Sequence, residues 1–123
     1  MAYINDSVFD NGLVTLTSNT ENLYICSTEP TSFTQATTTY KLGTKATPTV
    51  GSPANGTGGG RSITISAITD GIISANGTAA SWAITDNSAS TLLATGSLTA
   101  SQVVTDGNSF TLDAIEIRIA DAA

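Results

Sequence analysis

Two carboxylates near the end of the sequence are close enough to each other to be candidates for acid–base catalysis. Asp113 and Glu116 stand three positions apart, and paired carboxylates can act as acid and base in glycoside hydrolysis. In a regular strand, side chains three positions apart point to opposite faces of the sheet. A bulge would bring both to one face, so the pair is not excluded. We interpret the two residues as solvated surface acids.

Other catalytic arrangements lack a base. The chain contains no histidine, the side chain most often used as a general base near neutral pH and the commonest metal ligand. A serine nucleophile would depend on Lys41 or Lys45, and neither stands in a Ser-x-x-Lys spacing. Cys26, the only cysteine, lies in an apolar run and is expected to be a small buried hydrophobe. We predict that the protein is not an enzyme, with no catalytic residue and no cofactor.

Metal and ligand sites are also not indicated. Asp70, Asp86 and Asp106 fall in predicted turns, where aspartate is favoured for its side-chain-to-backbone hydrogen bonds. Loop oxygens can bind calcium, but the chain has no Asp-x-Asp-x-Asp-Gly loop, so no metal site is predicted. Trp82 stands beside Ile84 in an alternating pattern, which is typical of a core residue rather than of a ligand platform.

The charge pattern limits the partners. The net charge is −6, with four basic residues and no basic run, whereas nucleic-acid binding needs clustered Lys and Arg. No stretch approaches the ~18 apolar residues that span a membrane, and the first residues do not resemble a secretory signal. We therefore predict no nucleic-acid partner, no membrane association and synthesis in a cytoplasm.

The composition favours a β-rich fold. Threonine and serine occupy 36 of the 123 positions, and the β-branched threonine suits a pleated, half-buried surface. We predict a single mainly β domain over residues 1–123, a sandwich or barrel-like fold of six or seven strands with a short N-terminal helix. Pairs of Asn or Asp with Gly favour tight turns and occur at Asn11–Gly12, Asn55–Gly56, Asp70–Gly71, Asn76–Gly77 and Asp106–Gly107.

Residues 1–20 are predicted to form a helical segment that acts as a contact arm. Apolar residues between positions 8 and 16 recur on one helical face, and Asn5 or Ser7 could cap the helix. Four large apolar side chains stand within the first nine residues, and each is worth roughly 1.5–3 kcal/mol when fully buried. The predicted contacts with a partner or another subunit are Tyr3, Ile4, Val8 and Phe9.

The middle of the chain combines strand patterns with one glycine-rich segment. Residues 51–60 are predicted to be a flexible loop rather than a phosphate-binding loop, because no Lys-Ser/Thr follows and the next segment is a strand. Residues 31–40 are expected to hold one helical turn or to be extended. Strands are predicted at 23–26, at 61–68 with Ile63, Ile65 and Ala67 on one face, at 91–95 and at 102–105.

The last segment changes the phase of its alternation. Phe110, Leu112 and Ala114 occupy even positions, whereas three isoleucines from Ile115 to Ile119 occupy odd positions. A strand whose apolar side chains change from even to odd positions can keep all of them on its core face if one residue is left unpaired. The pattern predicts a bulge or bend at 113–115, or a strand that passes from one sheet or layer to another.

Short segments spread over nearly the whole chain form a familiar combination. They are Ala2–Tyr3, Phe9–Leu13, Leu23–Thr31, Lys41–Gly43, Gly51–Pro53, Gly60–Arg61, Ala67–Thr69, Trp82–Ile84 and Gly107–Leu112. Together they resemble a group of small proteins encoded among the structural genes of tailed bacteriophages. The resemblance implies a virion structural protein, in particular a capsid cement (decoration) protein, and no motif of that group is catalytic.

The resemblance also implies partners. A cement protein binds the outer face of the major capsid protein lattice, so the expected partner is the major capsid protein or another virion protein, and the expected location is the virion. A homo-oligomer is expected, since closed symmetric oligomers suit a symmetric lattice and repeated weak contacts gain strength through multivalency. The alternatives are a neck, tail or fibre component of the virion, or a carbohydrate-binding β-domain.

Overall fold

The chain begins with a helix that packs on a β core. The computed structural model describes residues 6–119, with side chains from Asp10 onward, and helix α1 runs over Asp6–Asn19. Leu13 is buried and Leu16 packs against the core, so the predicted N-terminal helix and its apolar face are confirmed at these positions. Ser7 lies inside the helix rather than at its cap, and Asn5 lies outside the described residues.

Nine strands follow α1 in the described part of the chain. They are β1 (Asn22–Cys26), β2 (Lys41–Ala46), β3 (Ala54–Asn55), β4 (Arg61–Ile65), β5 (Ile68–Ile73), β6 (Gly77–Asp86), β7 (Thr91–Val104), β8 (Ser109–Leu112) and β9 (Ile115–Ile119). Six strands form a curled sheet in the order β7-β6-β1-β2-β5-β8, and three form a small sheet in the order β3-β4-β9. The mainly β fold in a single small domain is confirmed, with nine strands in the described residues instead of six or seven, three of them in a separate small sheet.

Alternation along the strands builds the core on the inner face of the curled sheet. Leu23 and Ile25 of β1 stand opposite Ile84 and Trp82 of β6, and all four are buried. Helix α1 and the small sheet cover this face, and Leu13, Ile63 and Ile65 belong to the same cluster. Trp82 is 8% exposed, so its interpretation as a core residue is confirmed.

The segment between β1 and β2 covers part of the outer face. A five-residue π-helix, Gln35–Thr39, supplies the buried Ala36, and the Cys26 thiol donates to the Ala36 carbonyl at 3.8 Å. Burial raises the pKa of the Cys26 thiol to about 11. The expected helical turn within residues 31–40 and the buried state of Cys26 are both confirmed.

The change of phase near Ala114 marks a passage between sheets. β8 pairs with β5 in the curled sheet, whereas β9 pairs with β4 in the small sheet. Only Asp113 and Ala114 link them. Phe110 is buried, and Ile115 and Ile117 pack against the core. The even-numbered and the odd-numbered apolar residues therefore both face apolar surroundings, as the predicted passage from one sheet to another requires.

Two local expectations differ from the structure. Segment 51–60, predicted to be a flexible loop, contains β3 and a turn in which Gly56 N–H donates to Gly60 O at 2.9 Å, and its flexibility stays a prediction. Ala67 is exposed, because β4 ends at Ile65 and the chain turns before β5. Asp70–Gly71 lies within β5 instead of in a turn, where the small Gly71 accommodates the Phe110 ring.

Candidate functional site

The predicted N-terminal contacts fall where the structure gives little description. Tyr3 and Ile4 lie outside the described residues, and Val8 and Phe9 belong to α1 at positions where only the backbone is described. The helix itself is anchored, because Arg61 Nε and Nη2 donate to the Asp10 carboxylate at 2.9 and 3.1 Å. The contact role of these four residues stays a prediction.

The two carboxylates near the C-terminal end occupy different settings. Asp113 is exposed in the link between β8 and β9, and Glu116 is exposed on β9. Glu116 Oε2 accepts from the N–H and the hydroxyl of Thr57 at 3.2 and 3.1 Å. The hydrogen bond from the Thr57 backbone is the main cause that lowers the pKa of Glu116. Glu116 therefore holds the turn between β3 and β4.

The described residues hold neither a metal-binding cluster nor a membrane-spanning helix. Within residues 6–119, no group of three or more Cys, Asp or Glu side chains is placed to hold a metal ion. None of the helices in the described part of the chain is both long and apolar enough to cross a membrane. Asp70 forms a salt bridge of 3.0 Å with Lys45.

A concave seam lies between the two ends of the curled sheet. β7 and β8 follow each other along the chain, but each pairs with a different neighbour, β6 and β5 respectively. The sheet order places them at opposite ends, and the two strands are not hydrogen-bonded to each other. We call the gap between residues 97–105 and residues 108–115 the seam.

The connection at the narrow end of the seam is tied to β5 and to the turn before β6. Asn108 N–H donates to Thr105 O at 3.1 Å and closes the turn, and Gly107 has φ +90°, a conformation that favours glycine. Asp106 N–H donates to Asn76 Oδ1 at 2.8 Å, and Ile73 N–H donates to Asn108 O at 2.7 Å. The turn is therefore held against β5, and β7 and β8 are adjacent there and separate beyond it.

An irregularity in β7 shapes the wide end. Between the pairs Ala79–Gln102 and Ser81–Ser97, the four residues from Leu98 to Ser101 stand opposite Ala80 alone. Leu98 packs against the core, while Thr99, Ala100 and Ser101 are exposed. A bulge of this kind bends a strand and interrupts its ladder, and here it separates the two short strands that the sequence predicted at 91–95 and 102–105.

Two adjoining cavities fill the seam. The cavity near the turn has a volume of about 270 Å³ and reaches Ile25, Ile73 and Phe110. The cavity at the wide end has a volume of about 360 Å³ and reaches Trp82 and Ile115. Leu98, Gln102, Thr111 and Leu112 line both cavities, so they form one continuous groove with apolar side chains at its base.

The seam walls carry almost no charge. Among the residues that the structure describes, Asp113 is the one charged residue that lines either cavity, and it lies at the wide end. Asp106 is exposed in the turn at the narrow end. The groove is therefore neutral along its length, with an acid at each end.

Sequence reasoning found the parts of the seam but not the seam itself. The Asp106–Gly107 pair correctly predicts the turn, and the strand patterns on either side of it are real. A turn between two strands normally predicts that they pair as a hairpin, and these two do not. The break between the strand patterns at 96–101 was the available signal that β7 is irregular.

Comparisons of the chain with protein-family models, with curated proteins and with solved structures found no match.

Proposed function

We propose that this protein is a non-enzymatic structural component of a bacteriophage virion, a cement protein that binds the outer face of the major capsid protein lattice. The observation that carries the proposal is the place of the phage-like segments in the fold. Leu23–Thr31 contains most of β1, Trp82–Ile84 lies within β6, and Gly107–Leu112 contains β8. Some of the segments that resemble phage structural proteins therefore contribute to three strands of the curled sheet.

Individual residues of those segments have structural tasks. A Cβ on Gly43 would come within 2.9 to 3.1 Å of Ile72 O, Ile73 and Ile25, so this glycine permits close packing of β2 against its neighbours. Arg61 anchors α1 through Asp10. The resemblance thus lies in the framework of the domain, which supports a shared architecture and, through it, a shared structural role.

The distribution of aromatic side chains favours a protein partner over a glycan. Tyr24, Trp82 and Phe110 are buried, and Phe33 and Tyr40 are half-buried. A carbohydrate platform needs the flat face of an aromatic ring to be open to the ligand, and none of these five rings, the aromatic side chains that the structure describes, is exposed. A neck, tail or fibre role stays the alternative, since it uses the same kind of protein contact.

The charges of the chain favour attachment through apolar and backbone groups. Lys45 pairs with Asp70, Arg61 with Asp10, and Arg118 donates to Gly59 O at 3.1 Å. With three of its four cations engaged internally, the protein has little positive charge for a partner, and exposed ion pairs contribute only about 0–1 kcal/mol each. Many such subunits on a lattice gain strength through multivalency.

Copy number on purified phage particles tests the proposal. Quantitative mass spectrometry should find a copy number that follows the symmetry of the capsid lattice, and washing at low and at high salt should leave it nearly unchanged. A copy number that matches a neck, tail or fibre would contradict the cement assignment and support the alternative. Release of the protein at moderate salt would show that charged contacts hold it.

A further inference from the structure

The two walls of the seam are open edges of one sheet. Gln102–Val104 of β7 and Ser109–Leu112 of β8 each pair with a neighbouring strand on one side. On the seam side, no backbone hydrogen bond reaches these residues from any part of the chain between residues 6 and 119. A strand edge with free N–H and C=O groups is a template for another strand, and here two such edges face each other.

The two edges of the small sheet are blunted. β3 has only two residues, and β9 carries Glu116 and Arg118, which contact Thr57 and Gly59 of the adjacent turn. Short and charged edges discourage the addition of a strand. The seam walls at 102–104 and 109–112 contain neither a charged residue nor a proline, so they lack these protections.

The space in the seam suits an extended backbone. The adjoining cavities of about 270 and 360 Å³ form a groove that runs along both edges. Its base consists of apolar side chains, including Ile73, Ala79 and Trp82. Because side chains of a strand alternate between two faces, every second side chain of an added strand would meet this base, where small apolar groups fit.

The charges favour a foreign segment over a second copy. A segment that lies in the groove meets Asp113 at the wide end, where a cation would be stabilised. A second copy has three of its four cations engaged in its own contacts, and its net charge is −6, so it offers little positive charge to Asp113. A segment of another protein that carries a Lys or Arg does not have this disadvantage.

We propose that the seam binds an extended segment of another protein as an added strand, uncharged along the groove and with a Lys or Arg at its end beside Asp113. The inference rests on the proposed role in virion assembly, because it states how the partner is held. Main-chain hydrogen bonds to β7 and β8 would provide affinity, and the apolar base would select small side chains at alternate positions.

A defined peptide tests the seam on the isolated full-length protein. The probe is a fluorescent peptide of sequence KTVTVTVK, and the control peptide KTVTPTVK has a central proline, which cannot donate to a ladder. We expect the probe to bind with a Kd below about 1 mM, and the proline peptide to bind at least roughly tenfold more weakly. Equal binding of both peptides, or no binding of the probe at about 1 mM, would overturn the proposal.

Matched variants locate the binding. Thr111→Lys places a charge in the wall of both cavities, whereas Thr64→Lys places the same charge on an exposed position of β4 that lines neither. The first should weaken probe binding by at least roughly tenfold, and the second should leave it unchanged. Asp113→Asn, in the exposed link, should weaken binding of the probe and reduce its salt dependence. If Thr111→Lys and Asp113→Asn both bind as the wild type does, the seam is not the site.

Hydrogen exchange on phage particles separates this inference from the proposed function. When the protein attaches to particles that lack it, amides of 102–104 and 109–112 should become at least roughly tenfold slower to exchange. Attachment without this protection would overturn the seam inference and leave the cement role intact. If the protein binds the peptide but does not attach to particles, the seam inference is supported and the cement role is overturned. Protection that appears when the protein alone is concentrated would show that a second copy fills the seam and would overturn the choice of partner.

Discussion

The contact between Gly71 and Phe110 gives a sharp test of the packing that forms the wall of the seam. Gly71 stands opposite Phe110 in the pairing of β5 with β8. A Cβ at position 71 would overlap Cε1 and Cζ of the ring and lie 2.6 Å from Cδ1. Favourable carbon–carbon contacts lie near 3.5–4.0 Å, so Gly71→Ala must displace the ring or the strand by about 1 Å. Overpacking of this kind costs about 1–3 kcal/mol.

A double-mutant cycle measures whether the ring causes this cost. Urea unfolding can be followed by the fluorescence of Trp82, the only tryptophan and a buried one. We expect Gly71→Ala to lower the free energy of unfolding by about 1–3 kcal/mol in the wild type. In a Phe110→Leu background, which lacks Cε1 and Cζ, its cost should be smaller by at least about 1 kcal/mol.

Gly12→Ala is the matched control for this cycle. Gly12 lies inside α1, and a Cβ there would meet no heavy atom within 4 Å. Since alanine is favoured over glycine in a helix interior, this variant should gain about 0.5–1 kcal/mol. An equal cost of Gly71→Ala in both backgrounds would refute the placement of the Phe110 ring over Gly71.

The remaining predictions concern the helix anchor, the small sheet and the buried thiol, all measured by urea unfolding. Asp10→Asn should cost about 1–2 kcal/mol through the loss of charge-assisted hydrogen bonds to Arg61, and an unchanged midpoint would contradict that anchor. Ile117→Ala, at a half-buried position, should lower the free energy of unfolding by about 1–2 kcal/mol, and Ile63→Ala, at a buried position, should lower it by about 2–5 kcal/mol. A larger loss for Ile117→Ala than for Ile63→Ala would contradict the packing of β9. Deletion of Ala114 shortens the link between the sheets and shifts β9 against β4, so it should abolish cooperative unfolding. An unfolding midpoint equal to that of the wild type would show that the link tolerates the loss of a residue. Because burial raises the pKa of Cys26 from 9.0 to about 11, the unfolded thiol ionises first. The protonated, buried thiol therefore stabilises the folded state fully below about pH 9, and this stabilisation is lost as pH rises toward about 11. If the free energy of unfolding of Cys26→Ala falls by the same amount over this pH range, the assignment to Cys26 is contradicted.

The parts of the fold that the sequence predicted correctly depend on local pattern. Leu13 and Leu16 share a helical face, Ile63 and Ile65 alternate on β4, and all four contribute to the core or pack against it. Asp70–Gly71 misled the prediction because the same pair of residues suits a turn or a close approach between strands. The choice between a turn and a close approach depends on Phe110, which pairs with Gly71 but lies far from it in the sequence. Local sequence pattern does not contain that information.

The seam depends on the same kind of long-range information. Local pattern predicts β7, the turn and β8, but the pairing of β7 with β6 and of β8 with β5 separates the two strands. Besides the break between the strand patterns at 96–101, the change of phase at Ala114 is a sequence signal that bears on this arrangement, because it marks where the chain leaves the curled sheet for the small one. Asp113 and Ala114 line the wide end of the groove. A strand bound in the seam would therefore lie beside the passage between the two sheets, where it could contact Ile115 at the start of the small sheet as well as the core of the curled one.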